Sequence, residues 1–268
     1  MNKIVLFVLF ILPVNLLAQD IHDVKTVTKD EMRTVSSPQH RVVMLELYTS
    51  EGCSSCPPAD QFLSKLKVMG VNDKQIIPMA FHVTYWDYIG WKDRFANKQF
   101  DDRQRRLASK NKQKTIYTPQ FFFSGDDYRE YARFSEDVKA LVSQQATVDL
   151  VLTGQVLMDV LHTDKLHLTL KLDISKSKIN DVELYFVVTE NNLSSDVSHG
   201  ENKGETLHHD YVVRQISGPY IHSKTDNQVE RAFTIILQPE WKKQDLSIIA
   251  FAENPHTGEI LQAVSFDY

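Results

Sequence analysis

The sequence predicts an α/β domain followed by an all-β antiparallel sandwich. Through residues 41–147, apolar runs and helical patterns alternate in the order strand, helix, strand, helix, strand, strand, helix. Residues 148–268 instead contain seven short strand-like segments, separated by turn signals and without a helical repeat. That arrangement is typical of two packed antiparallel sheets. A chain of 268 residues is long enough for two ordinary domains.

Each predicted element rests on its local pattern. Strands are predicted where apolar residues run together or alternate, and helices where they recur every three to four residues. Ser135 is expected to cap the last helix of the α/β domain. In order, that domain has a strand at 42–48, a helix at 61–69, a strand at 75–83, a helical insertion at about 87–115, strands at 116–123 and 128–131, and a helix at 134–145. The strands of the sandwich are predicted at 149–154, 166–172, 182–189, 211–216, 232–237, 246–252 and 260–266.

The first 18 residues have the composition of a secretory signal peptide. A positive charge precedes an apolar run that ends near Ala18, and this arrangement indicates export with cleavage after that residue. The alternative is an uncleaved membrane anchor, but the run is short for a membrane span and contains Pro13 and Asn15. We therefore expect a periplasmic or secreted protein that does not associate with a membrane after cleavage. Residues 19–40 are polar and predict a linker or N-terminal arm.

Composition and charge limit the classes of partner. Charged residues make up 24% of the chain and hydrophobic residues 42%, which is globular composition. The net charge of −5 gives no basic surface of the kind that binds nucleic acid. We therefore expect no nucleic-acid partner.

The only two cysteines of the chain, Cys53 and Cys56, lie two residues apart between the first predicted strand and the first predicted helix. This context is typical of a redox dithiol. The thiolate is the reactive form, so a reactive cysteine needs a lowered pKa. The positive end of the following helix favours an anion at Cys53. Cys56, about one turn further on, would then resolve a mixed disulfide formed at Cys53.

Three other interpretations of the cysteine pair are less favourable. A structural disulfide would close a very small loop and remove little entropy from the unfolded chain. A zinc site needs about four ligands, and the chain has no second cysteine pair. A c-type haem requires a histidine directly after the second cysteine, where the sequence has Pro57. The sequence therefore predicts a redox dithiol and no cofactor.

Two short motifs resemble the thioredoxin superfamily. Cys53 and Cys56 follow a strand, and Thr118-Pro119 opens a later strand. The resemblance implies that the α/β domain is thioredoxin-like and that Pro119 follows a cis peptide bond and faces the dithiol, where it would hold the backbone of a substrate. An ordinary edge-strand proline is the alternative.

Longer segments are similar to a secreted thioredoxin-like family of unknown function (domain of unknown function 1223). They are 46–60, 81–93, 117–120 and 200–214. The similarity covers nearly all of the mature chain and implies a fold more than a function, because the family has no assigned substrate. The tryptophan that precedes the dithiol in thioredoxin is replaced by Gly52, and the two serines between the cysteines match neither reducing thioredoxins nor strong oxidases. The direction of redox transfer therefore stays open.

Glu46 and three histidines are further candidates. The thioredoxin resemblance implies that Glu46 is a buried proton acceptor for the resolving cysteine, and a solvent-facing or salt-bridged Glu46 is the alternative. His82, at the end of a predicted strand, could carry a proton, bind a metal or form structural hydrogen bonds. His208 and His209 lie in a polar loop whose histidine spacing matches no specific metal site. No metal is predicted, and these histidines are kept only as candidate ligands.

The predicted function is an exported thiol–disulfide oxidoreductase. Cys53 would attack or donate, Cys56 would resolve, and Pro119 would position a protein or small-molecule thiol or disulfide. The alternative is a non-catalytic binding protein on the same scaffold, with a resting disulfide or with copper held by the cysteines and His82, because thiolates select Cu(I).

Overall fold

The computed structural model describes residues 32–69, 72–158, 164–223 and 225–268. The predicted signal peptide at 1–18 and residues 19–31 of the predicted arm lie outside these residues. Among the residues described, no helix is both long and apolar enough to cross a membrane. All of the described residues belong to one compact unit.

The described chain is rich in strands and has few helices. The strands are β1 (Arg33–Ser36), β2 (Val43–Thr49), β3 (Ile76–His82), β4 (Gln120–Phe123), β5 (Asp126–Tyr128), β6 (Asp149–Met158), β7 (Asp164–Asp173), β8 (Asp181–Glu190), β9 (Leu193–Asp196), β10 (Thr206–His209), β11 (Val212–Ser223), β12 (Gln228–Ile236), β13 (Leu246–Glu253) and β14 (Ile260–Asp267). The α-helices are α1 (Pro57–Val68), α2 (Lys98–Lys110) and α3 (Phe134–Val142), and a 3-10 helix spans Thr84–Ile89.

One mixed sheet runs through both halves of the chain. Its eight strands have the order β14-β13-β8-β11-β3-β2-β4-β5. The halves join where β11 pairs parallel with β3 at Val212 and Ala80, and Ala80 N–H donates to the carbonyl oxygen of Tyr211 at 2.8 Å. The predicted fold class, an α/β thioredoxin-like domain followed by a separate antiparallel sandwich, is therefore wrong. The protein has a β-rich fold with few helices, built on one large mixed sheet.

The physical reason for this error is the pairing of a strand edge. Without β11, strand β3 would expose a row of unpaired backbone groups, and such an edge readily pairs with another strand. Periodicity shows which residues form strands but not which strands pair. The segments predicted as strands after residue 148 all overlap observed strands. Their partners, however, include the first half of the chain.

A second, four-stranded sheet covers one end of the large sheet. Its order is β1-β6-β7-β12, with all pairs antiparallel. Leu152 and Leu170 of this sheet pack in one core with Phe186 and Ala250 of the large sheet. Strand β1 belongs to the segment predicted as a linker or arm, and it pairs with β6. This pairing orders the end of that segment.

The other end of the large sheet carries helices on both faces. Met44 and Tyr48 of β2 pack in one core with residues of α2, whereas Leu45 and Leu47 pack in another with residues of α1. This alternation follows from the two-residue repeat of a strand. Both faces of β2 are therefore buried, as its continuous apolar sequence predicts.

The carboxyl ends of β2 and β3 lie side by side, because these strands are parallel and pair up to Thr49 and His82. The loop that carries the cysteines leaves β2 at this edge, and the 3-10 helix follows β3. The β9–β10 hairpin comes from the second half of the chain, and β10 packs against α1. Three distant segments thus meet around the dithiol loop.

Candidate dithiol site

The dithiol loop, residues 50–56, turns tightly from β2 into α1. The N–H of Cys53 donates to the carbonyl oxygen of Ser50, and the N–H of Cys56 donates to that of Cys53, both at 3.1 Å. The carbonyl oxygen of Cys56 accepts from Asp60 N–H at 3.1 Å. Cys56 therefore stands at the N-cap of α1, and Cys53 lies three residues earlier. The predicted placement of the pair between a strand and a helix is confirmed.

The two thiols have opposite acid–base character. Hydrogen bonds from the thiol of Cys56, and then from Ser55 and Thr118, outweigh the effect of burial and lower the pKa of Cys53 from 9.0 to about 6. Burial, together with the neighbouring Cys53, raises the pKa of Cys56 far above its ordinary value. Both cysteines are free thiols in this structure. Cys53 is thus the thiolate of the pair and Cys56 the protonated partner.

Thr118 and Pro119 lie beside Cys53. The peptide bond between them is cis, as the sequence predicts. The carbonyl oxygen of Thr118 is 3.8 Å from Cys53 Sγ, and the Ser55 hydroxyl is 3.2 Å from the same sulfur. Trp86 Nε1 donates to the Thr118 hydroxyl at 2.6 Å. The 3-10 helix is thereby tied to the segment that faces the reactive thiol.

Residues 200–204 cover the dithiol loop from the second half of the chain. Asn202 donates from its side-chain amide to the carbonyl oxygens of Glu51 (2.8 Å) and Cys53 (3.0 Å). Glu201 accepts from the backbone N–H and the hydroxyl of Ser54 at 2.9 and 2.7 Å, and these hydrogen bonds lower the pKa of Glu201. Cys53 is only 1% exposed, so its sulfur is not open to a bulky molecule.

Gly200 allows residues 200–204 to pack closely against the 3-10 helix. Its φ of +80° lies in the left-handed region that favours glycine. A Cβ at this position would lie 2.9 Å from Ile89 Cδ1, closer than side chains tolerate. The covering segment therefore packs directly on the end of the 3-10 helix.

A buried cluster of histidines and carboxylates lies beneath the same loop. His82 Nδ1 is 2.7 Å from Asp93 Oδ2, and His209 Nε2 is 3.2 Å from Glu51 Oε1. His209 Nδ1 is 4.0 Å from Asp60 Oδ2. The two imidazole rings meet edge to face, with centroids 5.0 Å apart. All five side chains are at most 6% exposed.

The charges of this cluster are strongly perturbed by burial. Burial by itself would lower the pKa of His82, but the Asp93 carboxylate more than compensates and raises it. For Asp93 the effects are reversed: burial by itself would raise its pKa, but the neighbouring His82 lowers it. Burial raises the pKa of Asp60. Asp60, His82 and His209 each offer one ligand atom, and the three atoms lie within 4.8 Å of one another, so this group could hold a metal ion.

Glu46 is placed in an ion pair. Arg103 of α2 donates to both of its carboxylate oxygens at 2.7 and 2.6 Å, and Tyr48 donates to Oε2 at 2.9 Å. Arg103 also donates to Glu253 at 3.0 Å. Glu46 shares the α2 face of β2 with Tyr48, whereas α1, which carries Cys56 at its N-cap, packs on the other face. This is the salt-bridged alternative, in which both carboxylate oxygens of Glu46 are occupied by Arg103 and Tyr48.

The histidines named from the sequence separate in the structure. His82 and His209 join the buried cluster, whereas the side chain of His208 is exposed. Within the described residues, the group of potential metal ligands that contains His82 includes neither cysteine. The structure thus does not assemble the copper site suggested by Cys53, Cys56 and His82.

Several residues of the site are not among the candidates predicted from the sequence. Asp60 stands at i+4 from Cys56, and this spacing could have suggested that it lies beside the dithiol helix. In the sequence, Glu51 is an ordinary charged residue of the loop before the cysteines, and Asp93 is one of the predicted helical insertion. Glu201 and Asn202 reach the site only because the second half of the chain folds onto the first.

Comparisons with known proteins give a family and a fold. The family model described as "Protein of unknown function (DUF1223)" matches residues 44–253. A crystal structure of a protein from Agrobacterium tumefaciens, determined by the Northeast Structural Genomics Consortium, superposes with a TM-score of 0.57 at 20% identity, over 85% of this chain and 96% of the other. HBP35 of Porphyromonas gingivalis superposes with a TM-score of 0.61 at 16% identity, over 86% of this chain and 76% of the other. No curated protein matches the sequence.

Proposed function

We propose that this chain, which belongs to the DUF1223 family of proteins of unknown function, is an exported thiol–disulfide oxidoreductase. The proposal rests on the chain's own site, because the family has no assigned function. The Cys53 thiolate is the attacking group and Cys56 is the resolving group. Thr118 and the cis Pro119 border the reacting sulfur, where they would contact the substrate.

The reaction is a two-step exchange. The Cys53 thiolate attacks one sulfur of a substrate disulfide, forms a mixed disulfide and releases the other substrate sulfur as a thiolate. Cys56 then gives its proton to the first released substrate thiolate or to water and attacks the Cys53 sulfur, which releases the second substrate thiolate. The substrate gains two electrons, and the protein becomes the Cys53–Cys56 disulfide. Run in reverse, the same steps oxidise a dithiol substrate.

The observation that carries this proposal is the opposite pKa shift of the two cysteines. A buried structural pair has no need of a nucleophile with a pKa of about 6 next to a partner whose pKa is raised. Thiol–disulfide exchange uses this difference between the two pKa values, because the attacking sulfur must be a thiolate, whereas the resolving cysteine stays protonated until the second step. Hydrogen bonds from Ser55 and Thr118 contribute to the lowered pKa of Cys53.

The burial of Cys53 favours a small substrate. At 1% exposure, its sulfur is out of reach of a disulfide held in a folded protein unless residues 200–204 or Trp86 move. A low-molecular-weight thiol or disulfide, or a flexible peptide, needs less displacement. We therefore expect glutathione-sized disulfides to react faster than disulfides inside folded domains.

The decisive experiment is the reduction potential of the Cys53/Cys56 pair, measured by equilibrating the purified protein with glutathione or dithiothreitol buffers. A nucleophilic pKa of about 6 stabilises the reduced form, so we expect a value of roughly −270 to −120 mV. A value below about −300 mV would identify a structural disulfide and overturn the proposal. Stoichiometric Cu(I) binding without thiol exchange would instead favour the copper-binding alternative.

We place this activity in the periplasm or outside the cell, as the sequence of residues 1–18 predicts. An oxidising compartment allows a dithiol to cycle through a disulfide. The intact mass of the protein recovered from the periplasm or medium should lack residues 1–18. Recovery of the full-length chain from the cytoplasm would contradict this location.

A further inference from the structure

We propose that Asp60, His82 and His209 form a buried binding site for a divalent first-row transition metal ion, with Zn²⁺ as the best fit. The site lies next to the dithiol loop but uses neither cysteine. It does not depend on the proposed oxidoreductase activity.

The donor atoms are already grouped. Asp60 comes from the first turn of α1, His82 from the end of β3, and His209 from the end of β10. One ligand atom from each lies within 4.8 Å of the others, and His209 Nδ1 is 4.0 Å from Asp60 Oδ2. Around Zn²⁺, bonds of about 2.0–2.2 Å would bring tetrahedral donors to about 3.4 Å from one another. The side chains therefore need to close by at most about 1.4 Å at the widest pair.

Three buried ring nitrogens of the cluster lack a hydrogen-bond partner. His82 Nε2 and both ring nitrogens of His209 have no hydrogen-bond partner, although His82 is completely buried and His209 is 2% exposed. Buried polar atoms are nearly always satisfied, so each exception calls for an explanation. Whether His82 Nε2 carries a proton or a lone pair, it lacks a partner, and a metal ion that replaces the proton would supply one.

The surrounding residues orient the ligands as they do in metal sites. Asp93 accepts from His82 Nδ1, which leaves Nε2 directed at the cluster, and Asp93 is itself held by the backbone N–H groups of Glu51 and Phe95. A carboxylate behind a histidine in this way fixes the ring and makes it a better ligand. Thr49 donates to Asp60 Oδ2 at 3.0 Å and fixes the third ligand.

The charge of the cluster also favours a cation. Glu51, Asp60 and Asp93 place three carboxylates in one buried volume, and the facing histidines can offset at most two of those charges. Buried charges are tolerated when they are paired or coordinate a metal. Glu51 Oε1 and His209 Nε2 face each other at 3.2 Å, yet neither these atoms nor His209 Nδ1 forms a hydrogen bond. The cluster therefore retains buried polar atoms that a bound cation would engage.

A small pocket gives an ion access to the site. It has a volume of about 100 Å³ and reaches both Asp60 and His209 from the surface. It is lined by Pro57, Asp60, Gln61, Thr206, Leu207, His208 and His209. Two imidazoles and one carboxylate suit Zn²⁺ and its neighbours better than Mg²⁺ or Ca²⁺, which prefer oxygen ligands.

The test uses a chain in which Cys53 and Cys56 are both replaced by serine, so that no thiolate can bind metal. Co²⁺ is titrated into this protein and followed by its visible absorption, and Zn²⁺ is then added as a competitor. The ligand variants are Asp60→Asn, His82→Gln and His209→Gln. The matched control is His208→Gln, which changes the neighbouring exposed histidine of the same strand. Far-ultraviolet circular dichroism verifies that each variant is folded.

We expect one Co²⁺ per chain, displaced by Zn²⁺, with the affinity of each ligand variant reduced at least about 100-fold, since loss of an outer partner alone costs 10–100-fold. His208→Gln should bind as the parent does. Absence of stoichiometric binding, or equal losses in His208→Gln and His209→Gln, would overturn the proposal.

If the ligand variants fail to fold, X-ray absorption of the Zn²⁺-loaded parent decides instead. Two imidazole nitrogens and oxygen at about 2.0–2.2 Å support the site, and any other ligand set refutes it.

Discussion

The pH dependence of Cys53 alkylation is the strongest prediction of the dithiol geometry. In the reduced protein, the alkylation rate should rise with a midpoint near pH 6, because the hydrogen bonds to Cys53 lower its pKa from 9.0 to about 6. Cys56 should stay unmodified over the same range, because its pKa is raised. Brief exposure to iodoacetamide at each pH, followed by peptide mass spectrometry, measures both sites in one sample.

The expected rates follow from two opposing effects. At pH 7 a pKa of about 6 gives about 90% thiolate, against about 1% for a thiol at 9.0, which is a roughly 90-fold gain. The lower basicity makes each thiolate about 16- to 30-fold less nucleophilic. The net advantage is about three- to sixfold at pH 7, rises to about 30- to 60-fold at pH 5, and reverses above about pH 7.5 to 7.8. Burial of Cys53 reduces all of these rates but does not move the midpoint.

A pair of variants isolates the cause. Cys56→Ala removes the largest contribution to the lowered pKa, so the midpoint for Cys53 should move upward. Cys56→Ser keeps a hydrogen-bond donor at the same place and should move it less. A parent midpoint above about pH 8, or identical midpoints in the two variants, would refute the reasoning.

Two further predictions concern stability, and both are measured by urea unfolding. Arg103→Leu removes the guanidinium that bridges two buried carboxylates and leaves Glu46 with only the Tyr48 hydroxyl as a partner, so it should lower the free energy of unfolding by about 3–5 kcal/mol. Arg105→Leu on the exposed side of the same helix should change it little, and equal effects would show that the ion pair is not responsible. Asn202→Ala removes two hydrogen bonds to carbonyl oxygens of the dithiol loop and should cost about 1–3 kcal/mol, with exposed Lys203→Ala as its control. A loss below about 0.5 kcal/mol for Asn202→Ala would mean that water replaces the amide.

Much of the dithiol site could be predicted because its parts are local. The strand, the tight loop and the helix around Cys53 and Cys56 follow one another within about twenty-five residues, and turn and helix preferences act over such distances. The cis bond before Pro119 was also predicted, from a resemblance rather than from local preference. The role of Glu46 stayed open between a proton acceptor and a salt-bridged residue for the opposite reason: its partner Arg103 is 57 residues away, and no local pattern indicates that ion pair.

By itself the sequence determined most of the strands and helices, though not β1, β9 and β10, together with the position of the cysteines and the family of the chain. Periodicity and short motifs carry that information because each reports on neighbouring residues. Only the tertiary structure decided that β11 pairs with β3, that Asn202 closes over the dithiol loop, and that Asp60, His82 and His209 share one buried volume. These contacts join residues far apart in the chain. Such contacts form because strand edges and buried polar groups must find partners, and the available partners depend on the whole fold.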